Sequence, residues 1–485
     1  MVSQDFVGRK REIDLLTRLN ERQGAQFLIL YGRRRIGKTH LVHHWVNTYE
    51  GKLPVLYWMA TQTSTTRQLR SFSQALFRFR NPQSDIPPEF SYQTWETALT
   101  QAAQLAQRKR FVLILDEFTY VMQADSEVPS IIQKVWDHHL QQSNIFLILT
   151  GSLAGIIQRA ALDYRAPLYG RATARLKLQP LPFGALTRFL PQMSTEQRVA
   201  VYAMAGGIPA YIKQFDDSLT VRENMYERLL SPVNVMLSDA VFLLGEQLND
   251  PRNYMALIET IAAGYHQLKD IARMAGMSPN HVTKYLAVLR ELGYVQRIVP
   301  ATVRHPERSK KGRYVISDPY LRFYYRFLQP HLGEIEYGRI KQVVDYLETH
   351  LVDYIGAHTF EELCREWINI KVDLAEFPFL PERVGSFWSR RAQVDVVAVN
   401  WRTKDILLGE CKWGKQTQGR KVVETLIQKT EEVVPQEGNW TVHYAYFTRT
   451  PLTLPAQERA AAVGALQISP DIIEQDSWRW MMDTD

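Results

Sequence analysis

Phe27-Leu28-Ile29-Leu30-Tyr31-Gly32-Arg33-Arg34-Arg35-Ile36-Gly37-Lys38-Thr39-His40 is the stretch on which the reading of this 485-residue chain turns. Its first five residues form a short apolar run, which predicts a strand buried on both faces. Gly32 to Thr39 then fits G-x-x-x-x-G-K-[ST], directly ahead of a helix-compatible segment. Glycines at 32 and 37 let backbone N–H groups converge on phosphate oxygens, Lys38 reaches the outer phosphates, and Thr39 offers a hydroxyl to Mg²⁺. The run from Gly32 through Arg33, Arg34, Arg35, Ile36, Gly37, Lys38 and Thr39 to His40 is a candidate ATP-binding loop.

Further along, Phe111 to Leu115 is a second apolar run, and it ends in Asp116 and Glu117. After a P-loop, that pair fits Asp116 holding the Mg²⁺ shell and Glu117 orienting the attacking water, although two acids at a strand end also suit a solvated turn. Ile145 to Leu149 ends in Thr150, Gly151 and Ser152 and would deliver hydroxyls to the same sheet edge. With Val55 to Met59, these runs alternate with polar, helix-favouring stretches to about residue 180, the rhythm of a parallel sheet covered by helices. Residues 1–180 are read as a P-loop ATPase core.

Several further residues resemble elements of AAA+ and STAND ATPases. Phe6, Val7, Gly8 and Arg9, with Glu12, look like the box that lies against adenine there, and Thr150 resembles the sensor position. Arg171, in Tyr169-Gly170-Arg171, is a candidate arginine finger acting in trans, equally readable as a surface or phosphate-sensing arginine. Gly206 to Pro209 resembles the Gly-x-Pro element of STAND lids, which would bring Pro209 near the nucleotide, but no second-sensor arginine stands beside it. Residues 181–248 read as a helical lid, helical throughout apart from the break at Gly206 to Pro209.

Residues 249–312 read as a winged helix: Gln267 to Ala275 and Pro279 to Leu292 flank the turn Gly276-Met277-Ser278, and Tyr294 to Val299 alternates like a strand. If Pro279 to Leu292 is a recognition helix, Asn280, His281, Thr283 and Lys284 face DNA, while Val282, Leu286, Leu289 and Leu292 pack inward. Arg304, Arg308, Lys310, Lys311 and Arg313 make the next segment a basic wing or a linker. The bland alternative is a packing unit between domains. Residues 313–345 are a helical connector.

Residues 346–485 change character. A long helix over about Lys341 to Ile370 leads into strand-like runs at Val384 to Trp388, Val394 to Val399, Ile406 to Glu410 and Val442 to Phe447, read as a mostly hairpin-connected sheet. Asp395 on one strand, then Glu410 and Lys412 on the next, read D-x14-E-x-K. On neighbouring strands the two carboxylates can share a divalent ion, with Lys412 on the same face as Glu410. Two bare carboxylates ~4 Å apart repel by about 4 kcal/mol at an effective dielectric near 20, so such a pair argues for a metal, a cation or a proton between them. The arrangement resembles the PD-(D/E)XK nuclease superfamily. That resemblance implies a further acid on the preceding helix, for which Glu361 is the first choice and Glu362 the reserve. The alternative is a degenerate fold in which Asp395 and Glu410 pair with Arg390, Arg391 or Lys412.

Bulk properties narrow the class. A composition 45% hydrophobic and 22% charged suits globular domains, and no apolar run approaches the ~20 residues of a membrane span. Met-Val-Ser-Gln-Asp-Phe lacks the marks of a secretory signal, and two cysteines, Cys364 and Cys411, suit a reducing compartment, so a cytoplasmic location is expected. A net charge of +7 permits an anionic partner. The whole chain is similar to archaeal-type P-loop ATPases of the AAA+/STAND group with a C-terminal PD-(D/E)XK domain. The resemblance implies an α/β multidomain protein with ATP and Mg²⁺ as cofactors, Mn²⁺ as an alternative at the nuclease site, DNA as partner and a homo-oligomer as an option. Its implied activity is ATP-regulated DNA cleavage, against a nucleotide-switched DNA-binding or scaffold protein.

Overall fold

The computed structural model describes residues 6–248 and 250–483. Residues 1–5, on which the expected lack of an export signal chiefly rests, lie outside the described residues. The chain forms two compact units, Met1–Pro180 and Leu181–Thr484. Among the described residues no helix is long and apolar enough to cross a membrane.

In the first unit, strands β1 (Gln26–Tyr31), β2 (Val55–Met59), β3 (Phe111–Asp116), β4 (Ile145–Gly151) and β5 (Ala174–Lys177) make one sheet in the order β2-β3-β4-β1-β5. Every neighbouring pair is parallel. All residues of β3 and β4 are buried, as continuous apolar runs must be when both faces are covered. The helices of this unit include α1 (Lys10–Glu21), α2 (Lys38–Asn47), α3 (Thr65–Arg80), α4 (Trp95–Arg108) and α5 (Val128–His138). Thr94 starts α4 by accepting the Thr97 N–H, and Trp95, Leu99 and Ile132 then join Phe27, Leu113 and Leu147 in the core. Each such side chain contributes about 1.5–3 kcal/mol on burial. Because β4 lies between β1 and β3, the C-terminal ends of all three stand side by side.

The expected strands are present, and β5 is an addition. It has four residues of alternating half-burial at the sheet edge, too short and too polar to stand out as an apolar run.

The second unit opens with short helices, of which α6 (Thr195–Ala205) begins in a capping box between Ser194 and Gln197. The break after α6 has a steric cause. A Cβ on Gly207 would stand 1.9 Å from the Leu181 carbonyl oxygen, whose own N–H bonds to Gly207 O at 2.7 Å. Then follow α7 (Arg252–Ala262), α8 (Leu268–Met274), α9 (Pro279–Glu291) and an antiparallel pair, β6 (Val295–Ile298) with β7 (Arg313–Ile316). Ser278 caps α9 by accepting the His281 N–H. Helix α10 (Ile340–Tyr354) runs through a π turn at Ile355–Phe360 into α11 (Glu361–Asp373). The last sheet has the order β12-β11-β10-β9-β8, from β8 (Arg383–Trp388), β9 (Gln393–Asn400), β10 (Asp405–Lys412), β11 (Thr441–Thr448) and β12 (Leu466–Ile468). Helix α12 (Arg420–Gln428) lies between β10 and β11 in the chain, and α13 (Pro470–Asp483) ends the described structure.

Four expectations need correction here. The stretch 181–248 is not helical throughout: residues 213–220 and 231–234 are irregular, and 3-10 and π turns interrupt the rest. The 312/313 boundary cuts a hairpin, because β7 starts at Arg313, and the 345/346 boundary falls inside α10. The C-terminal sheet is hairpin-connected only over β8-β9-β10, since β10-β11 and β11-β12 are parallel. Beyond these corrections, α13 packs on the segment expected to be the lid. Ser477 Oγ accepts the Gly184 N–H at 2.9 Å, and buried Glu474 takes two bonds from Arg198 at 2.6 Å each and one from Thr195 at 3.0 Å. Periodicity is a local signal and could not reveal a contact between residues about 280 apart in sequence.

Candidate functional site

The C-terminal ends of β1, β3 and β4 gather the first set of candidate residues. Gly37 caps α2 with φ 100°, a conformation glycine adopts without a Cβ penalty. Buried Lys38 folds back over the loop and donates Nζ to Gly32 O at 3.1 Å and Arg33 O at 3.3 Å. Its ammonium is thereby held in place, 4.0 Å from Glu117 Oε1. Arg34, Arg35 and Ile36 complete the loop, Ile36 buried, while His40 is exposed on α2.

Asp116 is fully buried and saturated with donors. Its Oδ2 accepts from Thr39 Oγ1 at 2.8 Å and from Tyr57 OH at 2.7 Å, and its Oδ1 accepts from the Glu117 N–H at 3.0 Å and from Thr150 Oγ1. A carboxylate with four donors is fixed in one rotamer, which suits a group that must organise a metal's shell. Glu117 sits at φ 48°, with Oε2 bound to Ser152 Oγ at 2.7 Å and the Ser152 N–H at 3.3 Å. The turn that carries Thr150 and Ser152 needs Gly151, where a Cβ would meet Thr119 Cγ2 at 2.5 Å.

Tyr57 was not anticipated. It is the middle residue of β2, and a phenol in an otherwise apolar strand of a parallel sheet, whose carboxyl edge is where such folds bind ligands, was the available signal. Burial, and then Asp116, push its phenol pKa up. At the front of the unit, Phe6 stacks on His44 at 3.9 Å and 4°, Val7 is half-buried, and Arg9 pairs with Glu12 at 3.1 Å and reaches Ile36 O at 3.4 Å. Arg171 is clamped by Asp137 through Nε and Nη2 and by the carbonyls of Pro167 and Tyr169, so use in trans would require leaving three acceptor groups. Pro209 begins a short helix in the second unit.

The second set stands on β9, β10 and α11. Val396 pairs with Gly409 across the antiparallel β9-β10 ladder, so Asp395 and Glu410 follow as neighbours. The Cys411 N–H donates to Asp395 Oδ2 at 3.0 Å. Lys412 Nζ lies 2.7 Å from Glu410 Oε1, and Lys429, at the end of α12, lies 2.9 Å from Oε2. Arg365 Nη1 bridges Glu361 Oε2 at 3.2 Å and Asp395 O at 2.9 Å, which draws α11 to β9.

The geometry distinguishes the two helix acids. Glu362 is taken by buried Arg322 in a two-point pair at 2.5 and 2.7 Å, which holds its carboxyl below the usual range against the pull of burial. Glu361 instead is pushed up to about 8 by burial and then by Asp395, while Asp395 is raised by burial and then by Glu410. Among the described residues no three His, Cys, Asp or Glu side chains stand as a preformed metal cage. Lys412, Lys429 and Arg365 occupy that role as cations. The alternative pairing is met in part: Glu410 takes Lys412, whereas Arg391 faces Glu432.

A third set is on the surface. Asn280, His281, Thr283 and Lys284 are exposed along the start of α9, with Val282, Leu286 and Leu289 buried beneath, although the Thr283 hydroxyl bonds back to Pro279 O at 2.8 Å. Leu292 is only half-buried, at the C-cap. Arg304, Lys310 and Lys311 are exposed in the loop joining β6 to β7.

A five-stranded parallel sheet, a P-loop lysine and the Asp116–Thr39 pair define the first unit as a P-loop ATPase domain. Residues 6–215 match an ATPase domain found predominantly in Archaea, and residues 324–423 match archaeal and bacterial proteins of unknown function. An uncharacterized protein of Methanocaldococcus jannaschii is 29% identical over 432 residues, 88% of this chain and 92% of its own length. Among solved structures, a Walker-type ATPase of Pyrococcus abyssi aligns with a TM-score of 0.49 and 16% identity, over 67% of this chain and 97% of that one. The ORC2 protein of Aeropyrum pernix, in ADPNP–ADP complexes, aligns with a TM-score of 0.43 and 14% identity, over 72% and 98%.

Proposed function

We propose that this chain is an ATP-switched, metal-dependent DNA endonuclease: an N-terminal ATPase domain, a winged helix over α7 to β7 that binds DNA, and a nuclease-like domain built on α11 and β8 to β12. The observation that carries the nuclease assignment is the meeting of Glu361, Asp395 and the Glu410–Lys412 pair from three elements, where Asp395 helps to raise the pKa of Glu361 and Glu410 that of Asp395. Such crowding is relieved by a divalent cation. The donor set fits Mg²⁺ or Mn²⁺: all candidate ligands are carboxylate oxygens, and Asp395 gives only one of its two oxygens to a hydrogen bond. Asp395 and Glu410 would hold the ion, which supplies an activated water and a Lewis acid. Glu361 assists at the margin, and Lys412, released from Glu410, is within reach of charge developing on phosphate.

In the ATPase domain, Gly32 to Thr39 hold the triphosphate, Thr39 and Asp116 arrange Mg²⁺, and Glu117 orients water after release from Ser152. Thr150 keeps Asp116 in register, and Phe6, Val7 and Arg9 face the base. Asn280, His281, Thr283, Lys284, Arg304, Lys310 and Lys311 supply phosphate and base contacts to DNA.

Supercoiled plasmid incubated with Mn²⁺ and ATP tests the reading. Wild type is expected to nick it and Asp395→Ala and Lys412→Ala to leave it intact. Equal nicking by all three would locate the activity elsewhere. Binding without cleavage by wild type would favour a second reading, supported by the two lysines on Glu410, in which the C-terminal fold docks DNA and does not cut.

A further inference from the structure

Within the second unit lies a cavity of about 950 Å³, walled by the β6-β7 pair, the α10-α11 helix and β8. Glu361, the α11 acid whose pKa Asp395 helps to raise, is part of its lining. Six arginines line it against four carboxylates. Two of the arginines are matched: Arg322 by Glu362 and Arg365 by Glu361. That leaves Arg297, Arg313, Arg326 and Arg383 facing only Asp353 and Glu366. Arg297 and Arg383 donate to backbone carbonyls, of Pro306 and Ser309 and of Ala301 and Val303, which orient a guanidinium without cancelling its charge. Arg326 is exposed at the wall, and the Arg313 guanidinium lies over the Trp388 ring at 4.6 Å.

A cationic cavity with an arginine and a tryptophan face suits a phosphate backbone carrying planar bases. Its size decides between strands. Pockets of roughly 300–1,000 Å³ enclose a drug-sized ligand, which for a nucleic acid is a few unpaired nucleotides, and a duplex could only lie across the mouth. We infer that this cavity receives an unpaired nucleic-acid strand, its phosphates on Arg326 and a base stacked on the Arg313 guanidinium that covers buried Trp388, and leads a phosphodiester toward Glu361. The inference rests on the nuclease reading for what happens at Glu361, but not for binding.

The experiment uses full-length protein carrying Asp395→Ala, so that cleavage cannot confuse binding, and follows anisotropy of labelled DNA and RNA strands of about 12 nucleotides and of the DNA duplex. The duplex binds at the winged-helix face, and either single strand, DNA or RNA, should bind in the cavity. Arg326→Glu should weaken that binding roughly tenfold and flatten its log–log salt slope by about 0.7, the share of one phosphate contact on a single strand. Arg326→Ala serves if the charge reversal disturbs folding. Strand binding untouched by both Arg326 variants, or duplex binding weakened by them as much as strand binding, would overturn the proposal. Failure of the wild type to nick plasmid would not, because it bears on the chemistry alone.

Discussion

Tyr57 donates its hydroxyl to Asp116 Oδ2 at 2.7 Å, the oxygen that also accepts from Thr39 at 2.8 Å. The loop threonine and the strand tyrosine thus restrain one carboxylate oxygen from two sides. A hydrogen bond to a charged group contributes about 1.5–3 kcal/mol. Tyr57→Phe should therefore lower kcat for ATP hydrolysis roughly tenfold and raise the Mg²⁺ concentration needed for half-maximal rate, with Mg²⁺-free ATP affinity unchanged. Steady-state hydrolysis titrated with Mg²⁺ checks this. An unaltered Mg²⁺ dependence would reduce Tyr57 to packing.

The docking of α13 depends on the buried Arg198–Glu474 pair. Removing one partner leaves the other charge buried and unmatched, at a cost of roughly 3–5 kcal/mol. Glu474→Gln should lower the thermal midpoint of the second unit sharply, and Arg198→Met with Glu474→Leu should recover most of the loss. Calorimetry on the three proteins measures it, and a near-silent Glu474→Gln would contradict the buried-pair account.

Glu366 gives a pH dependence with a definite sign. Burial, then Glu362, raise its pKa to about 7. Between its ordinary value and about 7 the folded state keeps a proton that the unfolded chain releases, so this group makes stability fall as pH rises across that window. The slope is at most about 1.4 kcal/mol per pH unit. Glu366→Gln should flatten the dependence and stabilise the protein at pH 8, as read from denaturant midpoints between pH 5 and pH 8. A variant with the wild-type slope would assign the effect to another group.

Much of the first unit was legible because its signals are local. An apolar run, a glycine pair and Lys38–Thr39 occupy one short segment, and Asp116–Glu117 ends another. Asp395 and Glu410-x-Lys412 were legible for a related reason: a hairpin brings residues close in sequence together in space. The rest depends on tertiary packing. Glu361 and Glu362 are adjacent in sequence, and only the position of Arg322 on one side and Asp395 on the other separates their roles. The π turn at Ile355–Phe360 carries no residue signature, yet it directly precedes Glu361, a common setting for functional residues. Tyr57, Arg365 and Lys429 reach their partners across elements whose order in the sheet no periodicity encodes.

The central claim, that the carboxylates of β9 and β10 form a metal site, is tested most directly by calorimetric titration of Mn²⁺ into nucleotide-free protein carrying Lys38→Ala and Thr39→Ala, which weakens the competing P-loop site. One ion should bind per chain, and Asp395→Ala or Glu410→Gln in that background should abolish it. Absence of Mn²⁺ binding, or binding that survives both substitutions, would contradict the account.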